Sequence, residues 1–163
     1  MLDITIRPAC EDDVPAILDL IDASYSPHLA VLPSRPGALA ETAQQWRQAL
    51  LAGPVLVAEI SGETAAVGRI QGTPPAGEVK RLGVHPAWQR CGLGQNLMLA
   101  LEEAARDGGF NTLLAATRRR LSGNIRFYEA LGYAVSRVEP YPDGIDDEVV
   151  TLSKPLNPDK QST

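Results

Sequence analysis

The chain has very few cysteines and no long hydrophobic run. Its 163 residues include only Cys10 and Cys91, which are too few for a disulfide framework. No Cys/His cluster has metal-ligand spacing, so the sequence predicts no metal site. No apolar run approaches the length of a membrane span, and the first residues lack the charged and apolar regions of a secretory signal. We therefore expect a cytoplasmic protein with no membrane partner.

Positive charge is also in the minority. Fifteen Lys and Arg residues stand against twenty Asp and Glu residues, which gives a formal net charge of −5. A chain of this charge has no global field that would gather nucleic acid, so we expect no nucleic-acid partner. The content of 44% hydrophobic and 21% charged residues is typical of a globular protein, and the length favours one domain. We predict a single domain over residues 1–155 and a polar tail over residues 156–163.

Hydrophobic periodicity predicts alternating strands and helices. The predicted strands cover residues 3–8, 54–60, 64–71, 78–85, 110–116, 133–139 and 148–152. The predicted helices cover residues 11–25 and 38–52, a third segment from Leu93 to the Gly108-Gly109 pair, and a fourth from an N-cap at Ser122 to Leu131. In the third helix the charged residues, Glu102 among them, are expected to face solvent. The order of these elements predicts an α/β domain with a mixed central sheet.

A glycine-rich turn lies between the strand that ends near Val84 and the third predicted helix. It reads Gln89-Arg90-Cys91-Gly92-Leu93-Gly94. Glycines let the backbone approach a ligand closely, so successive N–H groups and the positive end of the helix can converge on a phosphate. The turn therefore predicts a phosphorylated cofactor.

Two common phosphate-binding loops do not fit this turn. A nucleotide triphosphate loop needs Lys followed by Ser or Thr after its last glycine, whereas Gly94 is followed by Gln95-Asn96. A dinucleotide fingerprint needs a small residue where Leu97 stands and an acidic residue after the next strand, which the sequence does not supply. ATP and NAD are therefore not the expected ligands.

The pattern Gln/Arg-x-x-Gly-x-Gly/Ala does fit, and in it the chain resembles the GNAT superfamily of acyl-CoA-dependent N-acetyltransferases. Two further segments share the resemblance: residues 78–86, similar to the central strand of the family, and residues 124–133, similar to its later helix-to-strand segment. The resemblance implies a mixed, mostly antiparallel sheet of about six to seven strands flanked by about four helices. It also implies acetyl-CoA as cosubstrate and direct transfer to a primary amine without a metal.

The resemblance assigns roles to particular residues. The cofactor-binding residues it implies are the backbone of Leu82, Gly83 and Val84 for the pantetheine arm and thioester oxygen, the turn residues Gln89, Arg90, Cys91, Gly92, Leu93, Gly94 and Gln95 for the pyrophosphate, and Asn124. Tyr128 would protonate the departing thiolate, because a phenol is protonated at neutral pH and can donate. Asn124 and Tyr128 stand four residues apart on one helix face, with Phe127 and Leu131 turned toward the core.

Several roles have two interpretations. Glu78 is either the base that accepts the proton of the amine or a solvated strand residue. Gly83 indicates a bulge or a close approach to a ligand, or it is a simple strand glycine. Residues 118–120, three arginines, are interpreted as a solvated loop in preference to a contact with CoA phosphate. The acidic residues of 143–148 are likewise interpreted as a solvated loop in preference to an attractant for a cationic acceptor. His28 would line the substrate mouth.

The acceptor itself cannot be identified from the sequence. A small polyamine-like or amino-sugar molecule and a protein N-terminus or lysine all fit, and a homodimer is left open. A different functional class is also left open, namely a non-catalytic module that binds CoA or acyl-CoA as a sensor. Cys91 is interpreted as a neutral filler and not as an acyl carrier, because no histidine is near it in the sequence.

Overall fold

The computed structural model describes residues 3–156, which form one sheet with helices on both of its faces. The seven strands are β1 (Ile4–Pro8), β2 (Val55–Ile60), β3 (Glu63–Gln71), β4 (Ala76–Val84), β5 (Thr112–Arg118), β6 (Ala134–Pro140) and β7 (Glu148–Pro155). The α-helices within this range are α1 (Val14–Tyr25), α2 (Ala43–Ala52), α3 (Leu93–Asp107) and α4 (Ser122–Ala130). The predicted polar tail begins at Leu156, which is instead fully buried in the core, and residues 157–163 of that tail lie outside the described residues.

The strands are arranged in the order β1-β2-β3-β4-β5-β7-β6. All neighbours are antiparallel except β4 and β5, which are parallel. This arrangement confirms the predicted fold class, a mixed and mostly antiparallel sheet. A parallel pair needs a crossover connection, and α3 supplies it between β4 and β5.

Each face of the sheet carries its own hydrophobic core. Strand β2 shows why, because Val55 and Val57 pack on the face covered by α1 and α2, while Leu56 and Ile60 pack on the face covered by α3. Trp46 of α2 is fully buried in the first core. Burial of both faces explains why β2 is a nearly continuous apolar run rather than an alternating one. In the part of the chain that the structure covers, no helix is long and apolar enough to cross a membrane.

Two predicted helix starts were wrong, both because of capping. The second helix begins at Ala43 rather than at residue 38, because Thr42 accepts a hydrogen bond from the Gln45 amide and the Gln45 side chain bonds back to the Thr42 amide. The fourth helix has Leu121 at the N-cap, and Ser122 is its first residue, so Ser122 does not cap it.

Glu102 of α3 is buried, which contradicts its predicted exposure to solvent. Its carboxylate accepts a hydrogen bond from the Tyr133 hydroxyl at 2.8 Å and another from the Lys154 ammonium at 3.0 Å. A buried carboxylate is tolerated when it is paired in this way. Both partners come from the far end of the chain, so the helical pattern alone carries no sign of them.

Strand β4 contains a β-bulge. After the bulge, each side chain points to the opposite face of the sheet from the one it would have in an uninterrupted strand. Gly83 pairs with Val67 and Lys80 with Arg69, so both Arg81 and Leu82 lie opposite Gly68. Arg81 has a φ of +56°, a left-handed conformation that is uncommon outside glycine. The extra residue sends Leu82 to the α3 face and Gly83 to the α1 face.

At Gly83 the absence of a side chain accommodates a neighbouring helix, and it is not required by the bulge itself. A Cβ atom on Gly83 would lie 2.7 Å from the Ser24 Oγ of α1, closer than real contacts allow. The glycine therefore lets α1 approach β4 closely. The close approach brings Tyr25, the last residue of α1, against the bulged part of the strand.

Candidate functional site

The sheet opens between its two parallel strands. Strands β4 and β5 pair only from Ala76 and Thr112 to Val79 and Ala115. Beyond that point β5 stays paired with β7 as far as Arg118, whereas β4 bends at its bulge. The backbone of residues 82–84 therefore has no partner on the β5 side. This segment is therefore separated from the neighbouring strand.

A larger cavity, of about 560 Å³, lies beside this opening at the start of α3. Its lining includes most of the turn residues singled out in the sequence, with Leu82, Gly83 and Val84 of β4 on one side and Asn124 of α4 on another. Cys91 differs from its neighbours. It is exposed, does not line the cavity, and its thiol donates to the carbonyl of Trp88.

The turn presents free backbone amides to the larger cavity. Arg90 and Gly92 both have left-handed backbone conformations, with φ of +66° and +82°, and α3 begins directly after them. Asn96 is the first residue whose amide bonds a helical carbonyl, that of Gly92. The amides of residues 93–95 precede this pattern and gather at the positive helix end, an arrangement that suits an anion. Gln89 instead holds the turn to β4, because its side-chain amide donates to the Val84 carbonyl at 3.0 Å.

A smaller cavity, of about 240 Å³, lies on the other side of the opening. Helix α4 contributes Tyr128, β4 contributes residues 79–82, and β5 contributes residues 116–118. Tyr141, which follows β6, closes another side. Five residues contribute to the lining of both cavities, namely Tyr25, His28, Leu82, Asn124 and Phe127. The two cavities therefore meet at Leu82, in the part of β4 that does not pair with β5.

Tyr25 and His28 lie at this junction. The Tyr25 hydroxyl donates to the Leu82 carbonyl at 2.9 Å, and burial raises the pKa of Tyr25 to about 12. The imidazole of His28 packs edge-on against the Tyr25 ring, with 5.7 Å between ring centroids. Burial lowers the pKa of His28 below its ordinary value, so the imidazole is neutral at pH 7 and able to accept a proton.

Tyr128 is the one residue of α4 that is buried, and it faces the smaller cavity. Its ring packs edge-on between Phe127 and Tyr133, at centroid distances of 5.2 and 5.6 Å. Burial raises the pKa of Tyr128, with a contribution from Tyr25, so the phenol is protonated at neutral pH. Phe127 packs against the core as predicted, but it is only half-buried and also lines both cavities.

Glu78 lies outside the two cavities. Its carboxylate forms an ion pair with Lys80 at 3.2 Å, and it is opposite Gln71 in the sheet. Asn124 is placed at the junction, where its side-chain amide donates to the Thr117 hydroxyl at 3.2 Å. The structure thus brings Asn124 and Tyr128 to the site and does not bring Glu78 there.

The three arginines at the end of β5 pair with three acidic residues at the start of β7. Arg118 lies 2.9 Å from Asp147, Arg119 lies 3.2 Å from Glu148, and Arg120 lies 2.7 Å from Asp146. Arg118 is buried, so its interpretation as part of a solvated loop was wrong. Asp146, Asp147 and Glu148 are each paired with an arginine, and neither they nor Asp143 line either cavity, so the structure gives no support for an attraction toward a cationic acceptor.

Sequence reasoning missed Tyr25 and Arg81 as site residues. Tyr25 ends a helix some fifty residues before the strand that it contacts, and Arg81 reaches the smaller cavity because of the bulge. Neither feature leaves a local pattern. His28 was singled out only by its position in a turn-rich connection. No group of three or more His, Cys, Asp or Glu residues that could hold a metal ion is found within residues 3–156.

Comparison with known proteins gives consistent matches. The structure resembles the ribosomal-protein-S18-alanine N-acetyltransferase from Escherichia coli, with a TM-score of 0.77, 20% identity and 94% of each chain covered. It also resembles yncA from Salmonella typhimurium, solved with its cofactor acetyl-CoA, with a TM-score of 0.76, 25% identity and 94% of each chain covered. A mycothiol acetyltransferase from Nocardiopsis dassonvillei is 39% identical over 61 residues, which are 37% of this chain and only 18% of that protein.

The sequence also matches a family model over residues 15–133, well over half of the chain. The model describes the acetyltransferase (GNAT) family. The matched range runs from the start of α1 through α4, so it includes the turn, the bulged strand and the tyrosine of the smaller cavity. This chain belongs to the GNAT family of acetyltransferases.

Proposed function

We propose that this protein transfers an acetyl group from acetyl-CoA directly to a primary amine. The observation that carries the proposal is that two cavities meet at the part of β4 that does not pair with β5. One cavity ends in free helix amides that suit a pyrophosphate, and the other is closed by a buried tyrosine. The acetyl-CoA in the similar structure of yncA supports the same assignment.

The larger cavity would hold CoA. The amides of residues 93–95 and the side chain of Arg90 would bind the pyrophosphate, and the backbone of residues 82–84 with Asn124 would hold the pantetheine arm. The thioester would then reach the junction, where the amine enters from the smaller cavity. Positioning both reactants in this way removes much of the entropic cost of a two-substrate reaction.

The reaction needs one proton acceptor and one proton donor. The neutral amine attacks the thioester carbonyl, a C–N bond forms, and the C–S bond breaks. The thiolate takes its proton from Tyr128, and the amine loses a proton to a base. We assign the base to His28 rather than Glu78, because His28 lies at the junction with a lowered pKa whereas Glu78 lines neither cavity.

Thermal melts with CoA test the proposal. Acetyl-CoA or CoA should raise the melting temperature, because a ligand at one hundred times its dissociation constant stabilises the fold by about 2.7 kcal/mol. ATP with magnesium and NAD should give little shift at the same concentration. An equal shift with ATP and none with CoA would contradict the proposal. A CoA shift without any acceptor-dependent thiol release would favour the non-catalytic sensor.

The pH dependence of the reaction tests His28. Activity should rise with pH through the pKa of His28, which burial lowers below its ordinary value, because the neutral imidazole is the form that accepts the proton. We expect His28→Gln to lower kcat/KM about tenfold or more and to remove this acidic limb.

His85→Gln is the matched control for the histidine. His85 is the only other histidine of the chain, and it lines neither cavity. Its substitution should leave the acidic limb in place. An unchanged profile in His28→Gln would assign the proton to another acceptor, with Glu78 as the next candidate.

A further inference from the structure

We propose that the acceptor amine carries a carboxylate, as a free amino acid does, and that Arg118 binds this carboxylate in the smaller cavity. The inference rests on the proposed acetyltransferase function and deepens it. It excludes the polyamine-like acceptor that the sequence alone left open.

The charges around the smaller cavity are all of one sign. Lys80, Arg81 and Arg118 line it, and no Asp or Glu is among the described residues that do so. The carboxylates that pair with these cations are not part of the lining; they are those of Glu78, Glu41 and Asp147. A ligand in the cavity therefore meets the cations directly, which favours an anionic group and disfavours a second ammonium.

Arg118 has one nitrogen left without a partner. Its Nε donates to Asp147 at 2.9 Å, and its Nη1 donates to the Ser34 carbonyl at 2.9 Å. The guanidinium packs on the Tyr141 ring, 4.1 Å from the ring centroid. The Nη2 atom is buried and has no hydrogen-bond partner, and the whole residue is only 8% exposed. The side chain is thus fixed in place with donor capacity unused.

An unused buried donor is costly, and a bound carboxylate would satisfy it. Leaving such a group unpaired destabilises the fold, the more so when the group is charged, and guanidinium groups form their strongest hydrogen bonds with carboxylates. The cavity volume of about 240 Å³ is below the range of about 300 to 1,000 Å³ typical of drug-sized ligands. A small carboxylate-bearing amine fits these observations better than a segment of folded protein.

The same cations assist the chemistry of such an acceptor. Positive charges close to an amine favour its neutral form, which is the form that attacks the thioester. The carboxylate takes no part in bond making. The products are the N-acetylated amino acid and CoA, with the amine proton passed to the base and the thiolate protonated by Tyr128.

Matched pairs of acceptors test this assignment. Thiol release from acetyl-CoA would be measured with each common amino acid, with the carboxamide of each amino acid, and with spermidine. A carboxamide keeps the shape and lacks the negative charge. Its amine is also less basic, so more of it is in the neutral attacking form, which works against the expected preference for the amino acid. We expect at least one amino acid to be acetylated with a kcat/KM about 10²-fold above its carboxamide, since a site built for a group rejects the analogue that lacks it.

Arg118→Lys tests the residue itself. The variant retains a charge beside Asp147 and loses the unpartnered nitrogen. Its kcat/KM for the best amino acid should fall about 10- to 100-fold, mainly through KM, while that for the carboxamide stays nearly constant. Arg119→Lys is the control, because Arg119 is exposed, pairs with Glu148 and does not line the cavity. If Arg118→Lys fails to fold, the ratio of kcat/KM for the amino acid to kcat/KM for its carboxamide in the natural protein still decides whether a carboxylate is recognised.

Two results would overturn the assignment. Carboxamides or spermidine that react as well as every amino acid would show that no carboxylate is recognised, with the acetyltransferase activity intact. If no acceptor in the panel causes thiol release, the assignment is overturned as well. The proposed function is then decided separately: thiol release with other amines would retain it, whereas a CoA-dependent thermal shift without release for any amine would favour the non-catalytic sensor.

Discussion

Gly94→Glu is expected to abolish CoA binding in a protein that remains folded. Gly94 is the second residue of α3 and lines the larger cavity where the helix amides converge. A glutamate there adds bulk and a negative charge at the site proposed for the pyrophosphate. Acidic residues in the first turn of a helix favour the helix itself, so the fold should tolerate the change. Circular dichroism together with a CoA titration measures both effects.

Gly94→Ala separates the contribution of bulk from that of charge. A Cβ at this position would lie 3.4 Å from Val84 and 3.5 Å from Phe127, which is ordinary contact. The alanine variant should therefore fold normally and lose CoA affinity by much less than the glutamate variant. Unchanged CoA affinity in a folded Gly94→Glu protein would mean that the pyrophosphate binds elsewhere.

Tyr128→Phe should lower turnover by about 10²- to 10⁴-fold while CoA binding changes little. The substitution removes one hydroxyl and retains the ring that packs between Phe127 and Tyr133. A positioned general acid contributes rate enhancements of this order. Turnover should be measured at saturating acceptor, with a single-turnover experiment to establish that chemistry limits the rate.

Tyr133→Phe is the matched control for the loss of a buried tyrosine hydroxyl. The Tyr133 hydroxyl bonds Glu102 and lies outside both cavities. Its loss should lower the melting temperature, because Glu102 is left with Lys154 alone, and turnover of the folded protein should be retained. If Tyr128→Phe has full turnover while the chemical step limits the rate, the role of Tyr128 is packing, and water is the next candidate for the proton donor.

The sequence predicted the elements well where their signals are local. The periodicity of α3 and the glycines before and after its first residue located the helix, and the run from Val55 to Ile60 indicated a strand. Errors arose where a partner distant in sequence decided the outcome. Glu102 looked solvated because its partners, Tyr133 and Lys154, are thirty-one and fifty-two residues away.

The site was predictable only in part for the same reason. The turn and Tyr128 belong to segments with a recognisable pattern, so resemblance was enough to single them out. The smaller cavity is assembled from α1, β4, β5, α4 and the segment after β6, and its charge depends on which arginine faces inward. Arg118, Arg119 and Arg120 are identical in type and adjacent in sequence. Only tertiary structure shows that Arg118 alone of the three lines the cavity.

The bulge in β4 makes the site far more sensitive to deletions than to substitutions. Removing one residue at Arg81 would restore an uninterrupted register and exchange the faces of every later side chain in the strand. Leu82 would then point at α1, where Gly83 now lets Ser24 approach. Variation in this strand is therefore expected to conserve its length, so acceptor preference would diversify by residue exchange and by changes in the loops around the cavity.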